Sequence, residues 1–472
     1  MTIAIIGAGL SGTLTAIHLL KHAASGTTIY LIEPDRYRMH RGVAYSSQLP
    51  FQPLNVPAST MSLFADEPLD FFNWLTEHAY LYKRQLSQPV QATDFIPRTV
   101  FGDYLKARLQ EAEAGAALGV GFVRVYEEAL SVSRQGRGFT VSCSNQCMLS
   151  ANKVVLAMGN FPPAPLPIPN THFYRSQCYV ASPWSAKGLN GLQAQEPLLL
   201  IGSSLTMVDL VGSLQAQGHK GKVYVVSRHG LLPQPFDVGT RPYPNLAIPT
   251  AAYLSALSLF RFVREEIKRA EAEGYTWRSV LDALRDDIPV LWQALPLKEK
   301  KTFLRHVRPY WEVHRHRMPA ASAALLQELQ ANGQLEVIAA AVVDMHETEN
   351  GTRVTIRRRH HQETEEIEVG RVINCTGPQC DYTQVKVPLV QQLLTDGMAQ
   401  PDVLYLGLKT TPGGKLIDAE GKPVRGLFTL GPPRKGMLFE STALREIRQQ
   451  AKALAHRIIR EGKATLEIAD KS

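Results

Sequence analysis

The feature that most constrains this chain is its opening. Thr2-Ile3-Ala4-Ile5-Ile6 is an apolar run of strand character, Gly7-Ala8-Gly9-Leu10-Ser11-Gly12 follows without a gap, and Leu14, Ile17 and Leu20 then recur at a helical spacing. Strand, glycine turn and helix in that order predict a βαβ unit. Gly7 makes the tight turn, Gly9 admits a pyrophosphate to the backbone, and Gly12 lets helix and strand pack closely. The helix beginning at Leu10 and Ser11 turns its first N–H groups and its positive dipole end toward phosphate. A second apolar run, Ile29-Tyr30-Leu31-Ile32, ends in Glu33, 21 residues after Gly12. An acid there accepts hydrogen bonds from a ribose hydroxyl pair and repels a 2′-phosphate. FAD or NAD is therefore expected at this site; a glycine turn that only packs tightly is the plainer alternative.

The arrangement repeats in weaker form. Pro197-Leu198-Leu199-Leu200-Ile201 is a second apolar strand, and Gly202-Ser203-Ser204-Leu205-Thr206-Met207 leads from it into a helical run through Val208, Leu210 and Val211. Ser204 and Met207 stand where the second and third glycines would be. Gly202, Ser204 and Thr206 remain candidates for a phosphate contact at the helix start, and a Rossmann-like fold without a ligand is the alternative. The next strand, Val223-Tyr224-Val225-Val226, ends in Ser227-Arg228-His229. Arg228 replaces the acid that NAD would require, and a guanidinium there pairs with the 2′-phosphate of NADP through charge-assisted hydrogen bonds. NADPH is expected over NADH, against the alternative of a solvated strand-end arginine.

After each half, a β-rich stretch (residues 122–149 and 337–369) leads into Val154-Val155-Leu156-Ala157-Met158-Gly159 or Arg371-Val372-Ile373-Asn374-Cys375-Thr376-Gly377. Each predicts an antiparallel meander returning to a parallel sheet, with Gly159 and Gly377 as cofactor-side turns. The basic run Arg357-Arg358-Arg359-His360-His361 reads as a solvated strand tip. Residues 249–330 read as a mainly helical insertion containing Trp277, Trp292 and Trp311, with Leu259, Val263 and Ile267 as its core-facing stripe. Packing of that insertion outweighs a role as substrate lid. The expected fold is α/β, with two Rossmann-like dinucleotide-binding domains. A discontinuous FAD-binding domain (1–165 and 370–472) encloses an NAD(P)H-binding domain (166–369) that includes the insertion.

A net charge of +8 with 20% charged residues is too mild to imply nucleic acid. Five scattered cysteines form no CxxC pair, which fits a reducing compartment and disfavours a redox disulfide. The first residues lack the apolar core of an export leader, and no apolar stretch approaches membrane-spanning length. A soluble cytoplasmic protein is expected, with a homodimer left open. His314 and His316 stand two apart and do not face one another on a helix, so no metal site is expected. Tyr310, His314 and Arg317 are expected instead to line a cleft.

Arg41-Gly42-Val43-Ala44-Tyr45, Leu54-Asn55-Val56-Pro57-Ala58 with Met61-Ser62, Pro97-Arg98 with Phe101-Gly102-Asp103-Tyr104-Leu105, Ser227-Arg228-His229-Gly230-Leu231-Leu232-Pro233, Arg308-Pro309-Tyr310-Trp311, and Leu430-Gly431-Pro432 with Glu440-Ser441-Thr442-Ala443 are spread over almost the whole chain. Together they resemble the bacterial flavoproteins whose FAD/NAD(P)-binding domain is named after a urate hydroxylase, relatives of the N-hydroxylating flavin monooxygenases. The resemblance implies tightly held FAD, a reduced nicotinamide as electron donor, and oxygen-dependent hydroxylation of a small polar nitrogenous substrate. Pro432 departs from the flavin disulfide reductases, which carry an aspartate there for the ribityl chain.

In an enzyme of this kind the isoalloxazine carries the redox step, while the protein orients and tunes it. Asn55, on a turn-rich loop, is the expected catalytic donor to a ring carbonyl or to NADPH, with an Asx-turn as the alternative. Arg41 is expected at the FAD pyrophosphate, and Met61 belongs to the same flavin-side motifs. Gly431 and the helix start at Thr442 are expected to offer N–H groups to the flavin's pyrimidine carbonyls, against simple capping by Ser441 or Thr442. Two rivals stay open: an NAD(P)H-dependent flavin reductase of a quinone or small acceptor, and a non-catalytic nucleotide or redox sensor.

Overall fold

The computed structural model describes residues 1–472 except 48, 50–51, 185–188, 245 and 470–472. The chain opens with β1 (Thr2–Ile6), α1 (Leu10–His22) and β2 (Thr28–Ile32), then α2 (Gly42–Tyr45), α3 (Asp70–His78) and α4 (Arg98–Ala114). Five strands follow: β3 (Gly121–Val125), β4 (Ala129–Gln135), β5 (Gly138–Cys143), β6 (Met148–Ala151) and β7 (Lys153–Leu156). Next come β8 (Tyr179–Val180), β9 (Leu198–Ile201), α5 (Leu205–Ala216) and β10 (Val223–Ser227). The helices α6 (Ala256–Ala272), α7 (Trp277–Ala283), α8 (Ile288–Ala294), α9 (Leu297–Thr302), α10 (Arg308–Arg315) and α11 (Ala320–Ala331) lead to β11 (Leu335–Thr348), β12 (Gly351–Arg358), β13 (Glu365–Val369) and β14 (Arg371–Asn374). The chain ends with α12 (Pro388–Thr395), β15 (Lys415–Ile417), β16 (Pro423–Thr429), α13 (Lys435–Leu438) and α14 (Leu444–Ala469).

These elements form two compact units, one of Met1–Ser47, Ala58–Phe161 and Cys380–Ser472, the other of Gln48–Pro57 and Pro162–Gln379. The first is built on a six-stranded sheet in the order β15-β16-β7-β1-β2-β3. All its pairs are parallel except β15 with β16. Strands β4, β5 and β6 form a separate antiparallel sheet. The second unit holds a seven-stranded sheet ordered β13-β12-β11-β10-β9-β14-β8, parallel from β11 to β8 and antiparallel across β11, β12 and β13. Both units therefore carry the meander-and-return pattern expected from the two β-rich stretches.

Residues Ile3, Ala4, Ile5, Leu198, Leu199 and Leu200 are wholly buried, as strands of a parallel sheet covered on both faces require. Each large side chain so buried contributes about 1.5–3 kcal/mol relative to exposure. The insertion is helical, but the stripe on α6 lies to one side of the one expected. Ala256, Glu266 and Ala270 are its buried residues, whereas Leu259, Val263 and Ile267 are half-buried. Glu266 is drawn inside because it accepts from the Tyr243 hydroxyl at 2.7 Å and pairs with Arg269 at 2.6 Å. Hydrophobic periodicity carries no sign of such a partnered carboxylate.

Candidate functional site

In the first unit the glycine turn is fixed by backbone collisions. Gly7 has φ +98°, and a Cβ there would lie 2.4 Å from the carbonyl oxygen of Ala157, just beyond β7. A Cβ on Gly12 would lie 1.9 Å from the Gly7 carbonyl oxygen, so only glycine lets α1 come this close. Gly9 is the N-cap of α1 and has no side chain to cap it, which leaves the first N–H groups at Leu10, Ser11 and Gly12 for an incoming acceptor. Leu10 is half-buried and Ser11 buried.

Glu33 stands at the end of β2, beside this turn. Among the described residues its carboxylate takes two long hydrogen bonds, from the Ala8 N–H at 3.5 Å and the Asp35 N–H at 3.4 Å. Burial pushes its pKa above the ordinary carboxylate value; the Asp35 and Ala8 amides and Arg38 pull it back less. A half-buried carboxylate with spare acceptor capacity fits a ribose diol.

Arg41 and the Phe101-Gly102-Asp103 motif belong together. A Cβ on Gly42, at φ +56°, would lie 2.8 Å from the Gly9 Cα, so α2 rests directly on the glycine turn. The Arg41 guanidinium is held by the Asp103 carboxylate, which also accepts from the Tyr82 hydroxyl at 3.1 Å. Gly102 gives the Arg41 stem its room, since a Cβ there would sit 3.1 Å from Arg41 Cγ. The rings of Tyr45 and Phe101 meet at 4.8 Å. Asp103 was not singled out from the sequence, although opposite charges in two quoted motifs were the available signal.

The C-terminal motif reaches the same helix. Gly431, at φ +75°, lies against Ser11, where a Cβ would come within 2.8 Å of Ser11 Oγ, and its N–H donates to Gln450 Oε1 at 3.0 Å. Arg434 is buried and donates to the Pro412 carbonyl at 2.8 Å. Burial, followed by the charge of Arg457, lowers its pKa to about 10. Thr442 is exposed, whereas Ser441 is fully buried with an Oγ that has no hydrogen-bond partner among the described residues. Ser441 is thus the residue in this motif with a buried hydroxyl to offer a cofactor. Met61 is 5% exposed and belongs to the core rather than to an open wall. Gly159, at φ +68°, forms the turn after β7.

In the second unit, Gly202 repeats the behaviour of Gly7, with φ +106° and a Cβ position 2.5 Å from the Cys375 carbonyl oxygen. Ser204 is the N-cap of α5 but its side chain makes no cap hydrogen bond, and it is exposed; Thr206 is half-buried in the first turn. Ser203, passed over in the sequence, donates to the Leu231 carbonyl at 2.6 Å and approaches Ser227 Oγ at 2.9 Å, tying the turn to the loop after β10. That loop carries Arg228, which is exposed and has no ion pair among the described residues. Gly377, at φ +91°, follows β14, where the wholly buried Asn374 accepts from the Thr376 N–H at 3.1 Å. Asn55 is half-buried within Gln48–Pro57.

Arg317 does not act as an open cation. It is 5% exposed, pairs with Asp282 and lies over the Phe236 ring at 5.3 Å. His314 Nδ1 sits 2.7 Å from the Tyr310 carbonyl oxygen, and its ring packs on Trp277 at 4.9 Å. These residues hold the helical insertion together. Among the described residues no group of His, Cys, Asp and Glu is arranged to hold a metal, and no helix is long and apolar enough to cross a membrane. Burial pushes the thiol of Cys143 up to about 11 and raises that of Cys375 as well, the reverse of what thiol exchange needs.

Two parallel sheets, each opened by a strand–glycine–helix turn and each re-entered through an antiparallel meander, define the two-domain Rossmann-type fold of FAD/NAD(P) flavoproteins. A family model described as FAD-NAD(P)-binding matches residues 4–161. No curated protein matches the sequence. Solved structures match over nearly the full length. L-lysine 6-monooxygenase from Pseudomonas syringae does so with a TM-score of 0.65 at 16% identity, covering 97% of this chain and 99% of that one. Ornithine N-hydroxylase from Kutzneria sp. 744, described with reduced FAD, NADP+ and L-ornithine, has a TM-score of 0.63 at 14% identity, covering 98% and 99%. The FAD-bound cadaverine monooxygenase of Erwinia amylovora has 0.62 at 12% identity, covering 96% and 92%.

Proposed function

We propose that the chain is an FAD-dependent, NADPH-using monooxygenase that hydroxylates a small polar amine. The observation that carries this reading is the pair of glycine turns ending in opposite charges. Glu33 suits a ribose whose hydroxyls are free, and Arg228 suits one bearing a phosphate. The likeness in fold to three amine monooxygenases, and the match to an FAD-NAD(P)-binding family model, support it. The finer placement beside the urate-hydroxylase-type domain rests on the motifs quoted above.

Within the proposal, the first N–H groups of α1 bind the FAD diphosphate and Glu33 accepts from its adenosine ribose. Arg41, steadied by Asp103, sets the charge beside the turn. Gly431 and Ser441 face the flavin end of the cofactor, with Gly159 keeping the backbone after β7 open. Gly202, Ser204, Thr206 and Gly377 receive NADPH, and Asn55, in the same unit, donates to it. FAD held by these residues would supply the redox chemistry that the side chains lack, linking reduced nicotinamide to oxygen. The balanced reaction is amine, O2, NADPH and one proton giving hydroxylamine, water and NADP+.

The test is anaerobic addition of NADPH to the yellow protein, followed by oxygen and a panel of small amines. Loss of flavin colour, then one hydroxylated amine formed for each NADPH consumed, is the expected outcome. Colour loss with electrons passed only to quinones would favour the reductase. A flavin that NADPH leaves oxidised would favour the sensor.

A further inference from the structure

The sheet of the second unit brings a residue dismissed as part of a strand tip to the end of β10. Strand β11 runs parallel to β10 only as far as the pair Ser227 and Ala339. It then continues past the end of β10 and pairs antiparallel with β12, Ala340 opposite Arg358. Strand β12 therefore returns toward the carboxyl edge of the parallel sheet, which is where nucleotides bind in folds of this kind. Arg359 arrives there and donates its backbone N–H to the Ala339 carbonyl at 2.8 Å. From the other side Gly230, at φ +61°, rests on the same residue, with a Cβ position 3.1 Å from Ala339 Cβ. Ala339 is thus touched both by the loop that carries Arg228 and by the residue that follows β12.

The neighbouring arginines behave differently. Arg358 pairs with Glu365 at 2.7 Å, and Arg353 pairs with Glu368 at 3.2 Å, an exposed ladder of charges between β12 and β13. Arg359 and Arg228 are both exposed and neither has a carboxylate partner among the described residues. His229 lies within the field of both: burial first, then Arg359 and Arg228, hold its imidazole below the ordinary histidine pKa, and its buried Nδ1 has no hydrogen-bond partner among the described residues. Two guanidinium groups that both act on the His229 imidazole, with no carboxylate partner among the described residues, offer a dianion positive charge that no acid of the chain already neutralises.

We propose that Arg359 is the second specificity-determining residue of this site, forming with Arg228 a two-guanidinium clamp for the 2′-phosphate of an adenine nucleotide. The inference rests on the reading of this unit as the NADPH-binding one. The clamp draws its halves from a strand end and from a hairpin distant in sequence, so either alone gives only partial discrimination.

The experiment is calorimetric titration of the flavin-loaded protein with 2′,5′-ADP and, separately, with 5′-AMP. Arg359→Ala, Arg359→Lys, Arg228→Ala, the double alanine variant and Arg357→Ala are compared with the parent; Arg357 is likewise exposed and serves as control. The parent is expected to prefer 2′,5′-ADP, and Arg359→Ala to lose about tenfold for 2′,5′-ADP, a charge-assisted contact, with 5′-AMP unchanged. Arg359→Lys should recover part of the loss, and the two alanine changes should be non-additive. A parent that prefers 2′,5′-ADP while Arg359→Ala behaves like Arg357→Ala would overturn the clamp and leave the NADPH reading intact. Equal binding of both probes, or none of either, would overturn that reading and the clamp with it.

Discussion

The two glycine turns agree at their first position and part at their third. Gly7 and Gly202 have almost the same φ, +98° and +106°, and almost the same obstacle, a carbonyl oxygen 2.4 or 2.5 Å from where a Cβ would stand. In each case that carbonyl belongs to the residue following the adjacent parallel strand, so the first glycine is imposed by the sheet itself. The third position answers to a different distance, the gap between helix and turn. Gly12 has no room for a Cβ, whereas Met207 fills the equivalent place with a wholly buried side chain, packed in one core with Leu198, Leu200 and Leu210. A missing third glycine therefore reports how helix α5 packs, and says little about whether its N-terminus can still meet a phosphate.

The strongest way to break this comparison is to exchange the third positions. Gly12→Val should push α1 off the turn and abolish retention of flavin, read as the visible absorbance per protein after gel filtration. Met207→Gly should cost stability, about 2–5 kcal/mol for a vacated core site, read by denaturant midpoint, while changing NADPH binding far less than Gly12→Val changes FAD binding. A Met207→Gly variant that lost NADPH as completely would show that the third position governs ligand binding in both turns. A smaller effect is expected at the shared first position. Gly202→Ala should weaken NADPH binding about tenfold and leave flavin content untouched, with Gly7→Ala doing the reverse. Loss of flavin from Gly202→Ala would mean that the turns do not act independently.

What could be read from the sequence follows the same division. Strand, glycine, helix and terminal charge lie within about thirty residues in a βαβ unit, so both turns and both meander returns were legible. The pair Arg41 and Asp103 was not, because it joins motifs on α2 and α4 that only Gly42 and Gly102 allow to touch. Arg317 looked like a cleft cation because nothing in its own segment announces Asp282 or Phe236. Arg359 looked like part of a solvated tip because its destination depends on how far β11 outruns β10 before turning back. Local order writes the turns; the length of one strand decides what else reaches them.

The smallest expected effect concerns the charge that ends the first turn. Burial raises the Glu33 pKa, so its contribution to apoprotein stability is fully present below the ordinary carboxylate value and is lost as pH rises through the folded-state pKa. FAD should act in the opposite sense. Ribose hydroxyls donate to the ionised carboxylate and favour it, so FAD affinity should rise with pH over that same acidic window, with a proton released on binding. Glu33→Gln should flatten both dependences and weaken FAD binding about fivefold near neutral pH, the worth of roughly 1 kcal/mol of net hydrogen bonding. Arg228 carries the opposite charge at the equivalent strand end, so a rise with pH in the second unit should follow the second ionisation of the 2′-phosphate, at about pH 6, and be missing with NADH. The measurements are apoprotein melting temperature and FAD dissociation constant against pH for the parent and Glu33→Gln. An FAD affinity that is flat across the acidic range in the parent would remove Glu33 from the ribose and leave the glycine turn, Arg41 and the Gly431 end of the site to hold the cofactor.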